Sequence, residues 1–237
     1  MIGELAQTIA ERGTAIGLPL VAACADISSA RPFALGGETP VGALFDFNTE
    51  AGHYWQRGDL ALHNGIVSIL RWTAEPFFYD EGRIDSWRPL RLSPDLEQQA
   101  GEAHFNVHTA IVAPVHLPGS VVGAVIWATD RRGFGIRAAF DRHAADLHLL
   151  ALRFISACDA AAHGEPEIVA HHLTRREIQC LKLAAAGKTD GEIATILDLA
   201  APTIRFHLKK ASAKLGENGR LRTVQHATAL GFVSIRP

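Results

Sequence analysis

The sequence predicts two domains of different class: an α+β domain over residues 1–162, with helices on the faces of a sheet, and an all-α domain over 172–237. Three observations predict it. The apolar pattern runs through both helical and alternating periods before residue 160 and is purely helical after 172. The stretch HGEPEIVAHH, with Gly164 and Pro166, interrupts both patterns and marks a linker at 163–171. Finally, residues 171–237 hold eleven Lys and Arg against five Asp and Glu, or +6, while residues 1–170 hold twelve against twenty, or −8. These sum to the chain's −2, and all five lysines fall in the basic part. Such an asymmetry implies two domains with different partners.

The first element is an amphipathic helix over 1–16, with Ile2, Leu5, Ile9 and Ile16 among polar neighbours, followed by a buried apolar segment, GLPLVAAC. VGALFDF, from Val41, has the short period of a strand. A helix with Ile66, Ile69 and Leu70 on one side should stop before Pro76. HFNVHTAIVAPVH and SVVGAVIWATD are β-branched runs joined by the turn signal LPG, which predicts an antiparallel hairpin. A long helix then spans 138–160, its apolar stripe at 140, 144, 147, 150, 151, 154, 155 and 158. The aromatics Trp55, Trp72, Phe77, Phe78, Trp87 and Trp127 read first as core.

In the basic part, Thr174 and Glu177 form a capping box that opens a helix, and Gly187 closes it. Asp190 is expected to cap a second helix whose inner face is Ile193, Ala194, Leu197 and Leu199. After a turn at Ala200 and Ala201, Pro202 suits the first turn of a third helix. Its inner face is Ile204, Leu208, Ala211 and Leu215, and its outer face Thr203, Arg205, His207, Lys209, Lys210 and Lys214. Two helices joined by a tight turn, the second with cations on the side that is not core, suit the major groove of double-stranded DNA. The cations neutralise phosphates, and the best placed reach base edges.

LTRREIQCLKLAAAGKTDGEIATILDLAAPTIRFHLKKASAKLG resembles the C-terminal domain of LuxR-type transcription regulators, a four-helix helix-turn-helix module, with Glu177, Leu181 and Gly187 at the characteristic positions. The IRFHL stretch is closest to the quorum-sensing branch. The resemblance implies base reading by Arg205 and Lys209, and a DNA-facing set completed by Thr189 and Arg220. Two positions depart from the pattern: Ala200 replaces a capping Ser or Thr, and Gly219 an Asn. A missing cap costs about 1 kcal/mol.

Residues 1–160 have neither the paired acids nor the Lys of a phosphorylated receiver. HNGIVSILRWTAEPFFYDEG and the hairpin, with PFFYDE, PVHLPG and Gly123, resemble the family's autoinducer-binding domain, an α-β-α sandwich that encloses an acyl-homoserine lactone. That resemblance puts the pocket at Phe47, Ala51, Trp55, Asn64, Tyr79, Val112 and Ile126. Asn64 stands where the family has an amide-anchoring Asp, with Gly65 for the usual Pro; Ala51 stands for a lactone-binding Trp, Trp55 and Phe47 for tyrosines, and Ile126 for a frequent Ser or Thr. Lactone groups left unpaired in a buried site cost roughly 1–3 kcal/mol each. The expectation is a regulator that answers a different, flatter or less polar molecule, or none. The alternative is an anti-regulator that pairs with another LuxR-type protein and keeps it off DNA.

Other classes are disfavoured. Of twelve histidines, His104 and His108, His143 and His148, and His171 and His172 lie close in sequence, but none has a Cys or carboxylate at ligand spacing, so no metal or other cofactor is expected. No G-x-S-x-G, P-loop or G-x-G-x-x-G occurs, and the chain is not expected to be an enzyme. Cys24, Cys158 and Cys180 are odd in number and set among apolar residues, as buried thiols in a reducing compartment would be. Without eighteen consecutive uncharged apolar residues or a signal peptide, the expected location is the cytoplasm. The expected assembly is a homodimer, through helix 138–160 and a C-terminal helix near 224–232, on a palindromic operator with RNA polymerase as a further partner.

Overall fold

A computed structural model describes residues 1–28, 34–35, 39–40, 65–101, 107–165 and 167–234. The chain forms two compact units, one ending at Pro166 and the next beginning at Glu167.

The first unit is α+β. Helix α1 (Ile2–Ala15) leads to β1 (Leu20–Cys24) and a two-stranded ribbon of β2 (Ala34–Leu35) and β3 (Thr39–Pro40). Helix α2 (Gly65–Leu70), strands β4 (Phe77–Asp80) and β5 (Arg83–Ser86), and α3 (Pro94–Gly101) follow. Strands β6 (Thr109–Leu117) and β7 (Val121–Thr129) then form the predicted hairpin, and α4 (Ile136–His163) closes the unit. The main sheet has the order β1-β7-β6-β4-β5, antiparallel throughout.

Alternation along the strands gives the sheet two apolar faces. On one, Val21, Phe78, Ile111, Val125 and Trp127 pack with Leu5 and Ile9 of α1 and with Phe140, Leu147 and Phe154 of α4. Trp127 Nε1 donates to Ile9 O at 3.0 Å, so the largest buried side chain among the described residues is both packed and satisfied. On the other, Phe77, Tyr79, Ala110, Val112 and Ala128 pack with Ile66, Ile69 and Leu70 of α2, and Leu96 of α3 joins them. This is an α-β-α sandwich. Gly65 explains its own departure from proline: a Cβ there would lie 2.6 Å from Ala100 N, so α2 and α3 approach only because position 65 has no side chain.

The second unit holds α5 (Arg175–Ala185), α6 (Asp190–Leu197), α7 (Ala201–Lys214) and α8 (Arg220–Ala229). Cys180 and Leu181 of α5 are fully buried, the first against Ile193, Ala194 and Ile204, the second against Ala211, Leu215, Ala227 and Val233. The capping box of α5 is present: Thr174 Oγ1 accepts from Glu177 N, and Glu177 Oε2 accepts from Thr174 N at 2.7 Å.

Several expectations change. The cap of α6 is Thr189, not Asp190: Thr189 Oγ1 accepts from Glu192 N and its own N–H donates to Glu192 Oε2, a second capping box that places Asp190 at the first helical position. Helix α4 runs two residues earlier and three later than 138–160. The β4–β5 hairpin was not anticipated, because FFYDEGRIDS puts Glu81 and Gly82, at φ 45° and 92°, in a two-residue turn that needs both angles positive. Helix α3 was missed as well. Trp72 is not core but 88% exposed, and Trp87 is also exposed, its ring 5.7 Å from that of Phe140. His108 precedes β6 rather than lying in it. VGALFDF, Trp55 and His104 lie outside the described residues.

Burial pushes the thiols of Cys24 and Cys158 up to about 12, and that of Cys180 up as well, which leaves them protonated. Among the described residues no helix is long and apolar enough to cross a membrane.

Candidate nucleic-acid interface

Helices α6 and α7 meet through Asp198, Leu199 and Ala200. Asp198 takes the left-handed conformation (φ 53°), which an Asp tolerates better than most residues, and Leu199 N donates to Ala194 O at 2.9 Å. Ala200 then starts α7 without a side-chain cap, and Pro202 occupies the first turn, where its missing N–H costs nothing. Ile204 and Ala211 of α7 are buried, as is Leu215 at its C-cap, and Leu208 is partly so. That fixes the opposite side outward, and with it Arg205, Phe206, Lys209 and Lys210, all exposed. Thr203 and His207 are half-buried at its margin.

The cations of this unit are not equivalent. Among the described residues Lys209 has no ion pair, and its side chain is exposed. Arg205 keeps a side chain 69% exposed, its Nε 3.6 Å from Asp190 Oδ2. The other oxygen of Asp190 accepts from Arg220 Nη1, and Arg220 Nη2 donates to Lys188 O, which ties the start of α8 to the start of α6. Arg220, Thr189, Lys188 and Asp190 line an open hollow of about 530 Å³ with Ala184, Gly187 and Gly191. Thr189 and Arg220 are thus neighbours, and both hydrogen-bond within the unit.

Lys214 differs most from its sequence reading. Its Nζ donates to Glu177 Oε2 at 2.8 Å and Oε1 at 3.1 Å. Burial raises the pKa of this carboxyl, but hydrogen bonds from Lys214 and Thr174 outweigh it, and the net shift is downward. Glu192, in the second box, is lowered too, by its bonds from Thr189. Lys210 Nζ stands 4.6 Å from the centroid of the Phe206 ring. Phe206 and Asp190 also belong to this surface, and a reading by positive charge alone does not find them. Counting 100° per residue from Ile204 would have put Phe206 outward.

In the first unit, β4, β6 and β7 bring Tyr79, Val112 and Ile126 to one face of the sheet. Val112 pairs directly with Ile126 and with Phe77, two residues from Tyr79 on the same strand. Tyr79 and Val112 are buried, and Ile126 is partly buried in the same cluster. Phe47, Ala51, Trp55 and Asn64 lie outside the described residues. Among the described residues no three His, Cys, Asp or Glu side chains group as metal ligands.

Residues 171–227 match the family described as bacterial regulatory proteins, luxR family. The chain is 46% identical over 67 residues to the HTH-type quorum sensing-dependent transcriptional regulator VjbR of Brucella abortus, spanning 28% of this chain and 26% of that one. It is 38% identical over 176 residues to the transcriptional activator protein AhyR of Aeromonas hydrophila, spanning 71% of this chain and 64% of that one. Escherichia coli SdiA superposes with a TM-score of 0.48 at 18% identity, over 98% of this chain and 92% of SdiA. The chain thus spans about a quarter of VjbR and just under two thirds of AhyR.

Proposed function

We propose that this chain, whose residues 171–227 are a luxR-family domain, is a quorum-sensing-type transcription regulator that binds duplex DNA through α7. One observation carries the reading: α7 buries Ile204, Ala211 and Leu215 and turns Arg205, Lys209 and Lys210 to solvent, on the second helix of a helix-turn-helix. Arg205 and Lys209 reach base edges, and Lys210 and Arg220 approach phosphates. Thr189 contributes through the N-terminus of α6, where backbone N–H groups favour an anion. His207 and Thr203 flank the base-reading pair. Lys214, held by Glu177, shapes the domain and is not a principal DNA contact.

The sandwich unit controls this binding. The sheet face with Tyr79, Val112 and Ile126 is apolar, and Ala110, Ala124 and Ala128 belong to the same cluster. With Ala51 and Asn64 in place of the lactone anchors, it takes a flat, weakly polar molecule in preference to an acyl-homoserine lactone. The regulator works as a homodimer, because one module of this size buries too little DNA surface for high specificity and two-fold symmetry matches a palindromic operator. Arg205 and Lys209, turned outward, favour a protein that reads DNA itself over one that only titrates a related regulator.

The test is fluorescence anisotropy of the purified chain against double-stranded DNA at low ionic strength, with and without small molecules extracted from its host. Saturable binding that weakens steeply with salt supports the reading. Indifference to duplex DNA in every condition overturns it. Native mass spectrometry of protein from the host identifies any bound molecule.

A further inference from the structure

Phe206 is an anomaly on α7. It is 54% exposed, a large apolar ring among cations, and contributes to neither of the two apolar clusters of its unit. Its position is also specific. At about 100° per residue, Phe206 falls roughly 180° from the buried stripe, with Arg205 and Lys209 to one side and Lys210 to the other. It therefore occupies the middle of the outward face, where a helix in the major groove comes nearest the base pairs.

We propose that Phe206 reads the 5-methyl group of a thymine in the major groove. The argument rests on α7 binding DNA, and goes further by assigning a base-edge contact to a residue without charge. The major-groove edges of guanine, cytosine and adenine offer hydrogen-bonding groups only, which a phenyl ring leaves unpaired. Thymine alone adds an apolar group there. The ring is also held in place: Lys210 Nζ lies 4.6 Å from its centroid, and the His207 ring lies edge-on at 5.9 Å. An ordered ring loses little rotamer freedom on binding, so the small gain from covering one methyl is not spent on ordering it. Arg205 and Lys209, on the neighbouring side of the helix, fix register and read adjacent base pairs, and Phe206 then distinguishes T·A from the other pairs at one position of each half-site.

The methyl can be removed from the DNA without altering the protein. The full chain first selects a binding site from a library of random duplexes. Each thymine of the selected site is then replaced in turn by deoxyuridine, and affinities are measured at fixed salt. The expected result is one position per half-site at which deoxyuridine weakens binding by about threefold to tenfold, the scale of one buried methyl. Phe206→Ala should bind the selected site more weakly and be indifferent to deoxyuridine there, while Phe206→Leu should keep part of the preference. Placing 5-methylcytosine at that position should restore part of the affinity that cytosine loses, which shows that the methyl and not the rest of thymine is read. If no thymine-to-deoxyuridine exchange separates the wild-type chain from Phe206→Ala, although both bind the site, the inference is overturned and DNA binding stands. If the wild-type chain enriches no duplex at all, DNA binding itself falls and the inference with it.

Discussion

Lys214 Nζ lies 2.8 and 3.1 Å from the two carboxylate oxygens of Glu177, and so joins the last turn of α7 to the first turn of α5. Glu177 is 1% exposed, and the same carboxylate closes the Thr174 capping box. One buried anion thus orients α7 against α5.

Lys214→Met should therefore act on stability more than on DNA. It removes the cation but keeps most of the stem, and leaves a buried carboxylate with only Thr174 as partner. A loss of about 1–3 kcal/mol is expected, below that for a fully buried pair because Lys214 is partly exposed. Urea unfolding should show it, while the slope of log affinity for random DNA against log salt stays near the wild-type value. A slope reduced by about one, with stability unchanged, would show that Lys214 neutralises a phosphate instead.

The same pair sets an acid limit. The folded-state pKa of Glu177 is depressed, so its contribution is present above the ordinary carboxylate value of 4.5 and is lost as pH falls through the lower folded value. The melting temperature of the full chain should fall below about pH 4.5, and more gently in Glu177→Gln, which has no charge to lose there. Parallel pH profiles for the two proteins would refute this role for Glu177.

Arg205→Ala and Lys210→Ala should separate base reading from phosphate contact. Loss of a base-reading Arg costs about 1–3 kcal/mol on the selected site and relaxes the preference at one base pair. Lys210→Ala should weaken specific and random duplexes alike and lower the salt slope by about one. Equal losses on both kinds of DNA for Arg205→Ala would reassign Arg205 to the phosphates.

What was legible in the sequence follows from which interactions are local. The periods of α1, α4 and α7 and the Thr174 box depend on residues three or four apart, and all were readable. Asp190 reads as the cap of α6 in place of Thr189 because Thr-Asp offers two good capping residues in succession, and only the reach of Glu192 back to Thr189 N decides between them. The β4–β5 hairpin was lost because Glu-Gly is a weaker turn signal than Asn-Gly, though Gly82 was its trace. Trp72 reads as core by residue type, and its exposure follows from the turn that ends α2, which His116 Nε2 holds through Leu70 O and Thr73 O, more than 40 residues away in sequence. Lys214 looked like one more groove cation because its partner Glu177 is 37 residues distant.

Asp190 is the remaining test of how the site is tuned. Its carboxylate faces Arg205 Nε at 3.6 Å on one side and binds Arg220 on the other, so one acid engages both arginines. The loose ion pair of Arg205 Nε with Asp190, at 3.6 Å, turns that edge of the guanidinium toward the acid and favours its two Nη groups for a guanine O6 and N7. Asp190→Asn removes one negative charge beside the phosphates and frees both arginines. Affinity for random duplex should therefore rise and its salt slope steepen by about one. Stability should change by no more than about 1 kcal/mol, since these ion pairs are partly exposed. Preference for the selected site over random DNA should fall, because a freed Arg205 samples phosphates as well as the base edge. In an Arg205→Ala background that fall should vanish while the salt effect persists through Arg220. If Asp190→Asn lowers the preference equally in both backgrounds, Asp190 acts through the fold of α6 and not through Arg205.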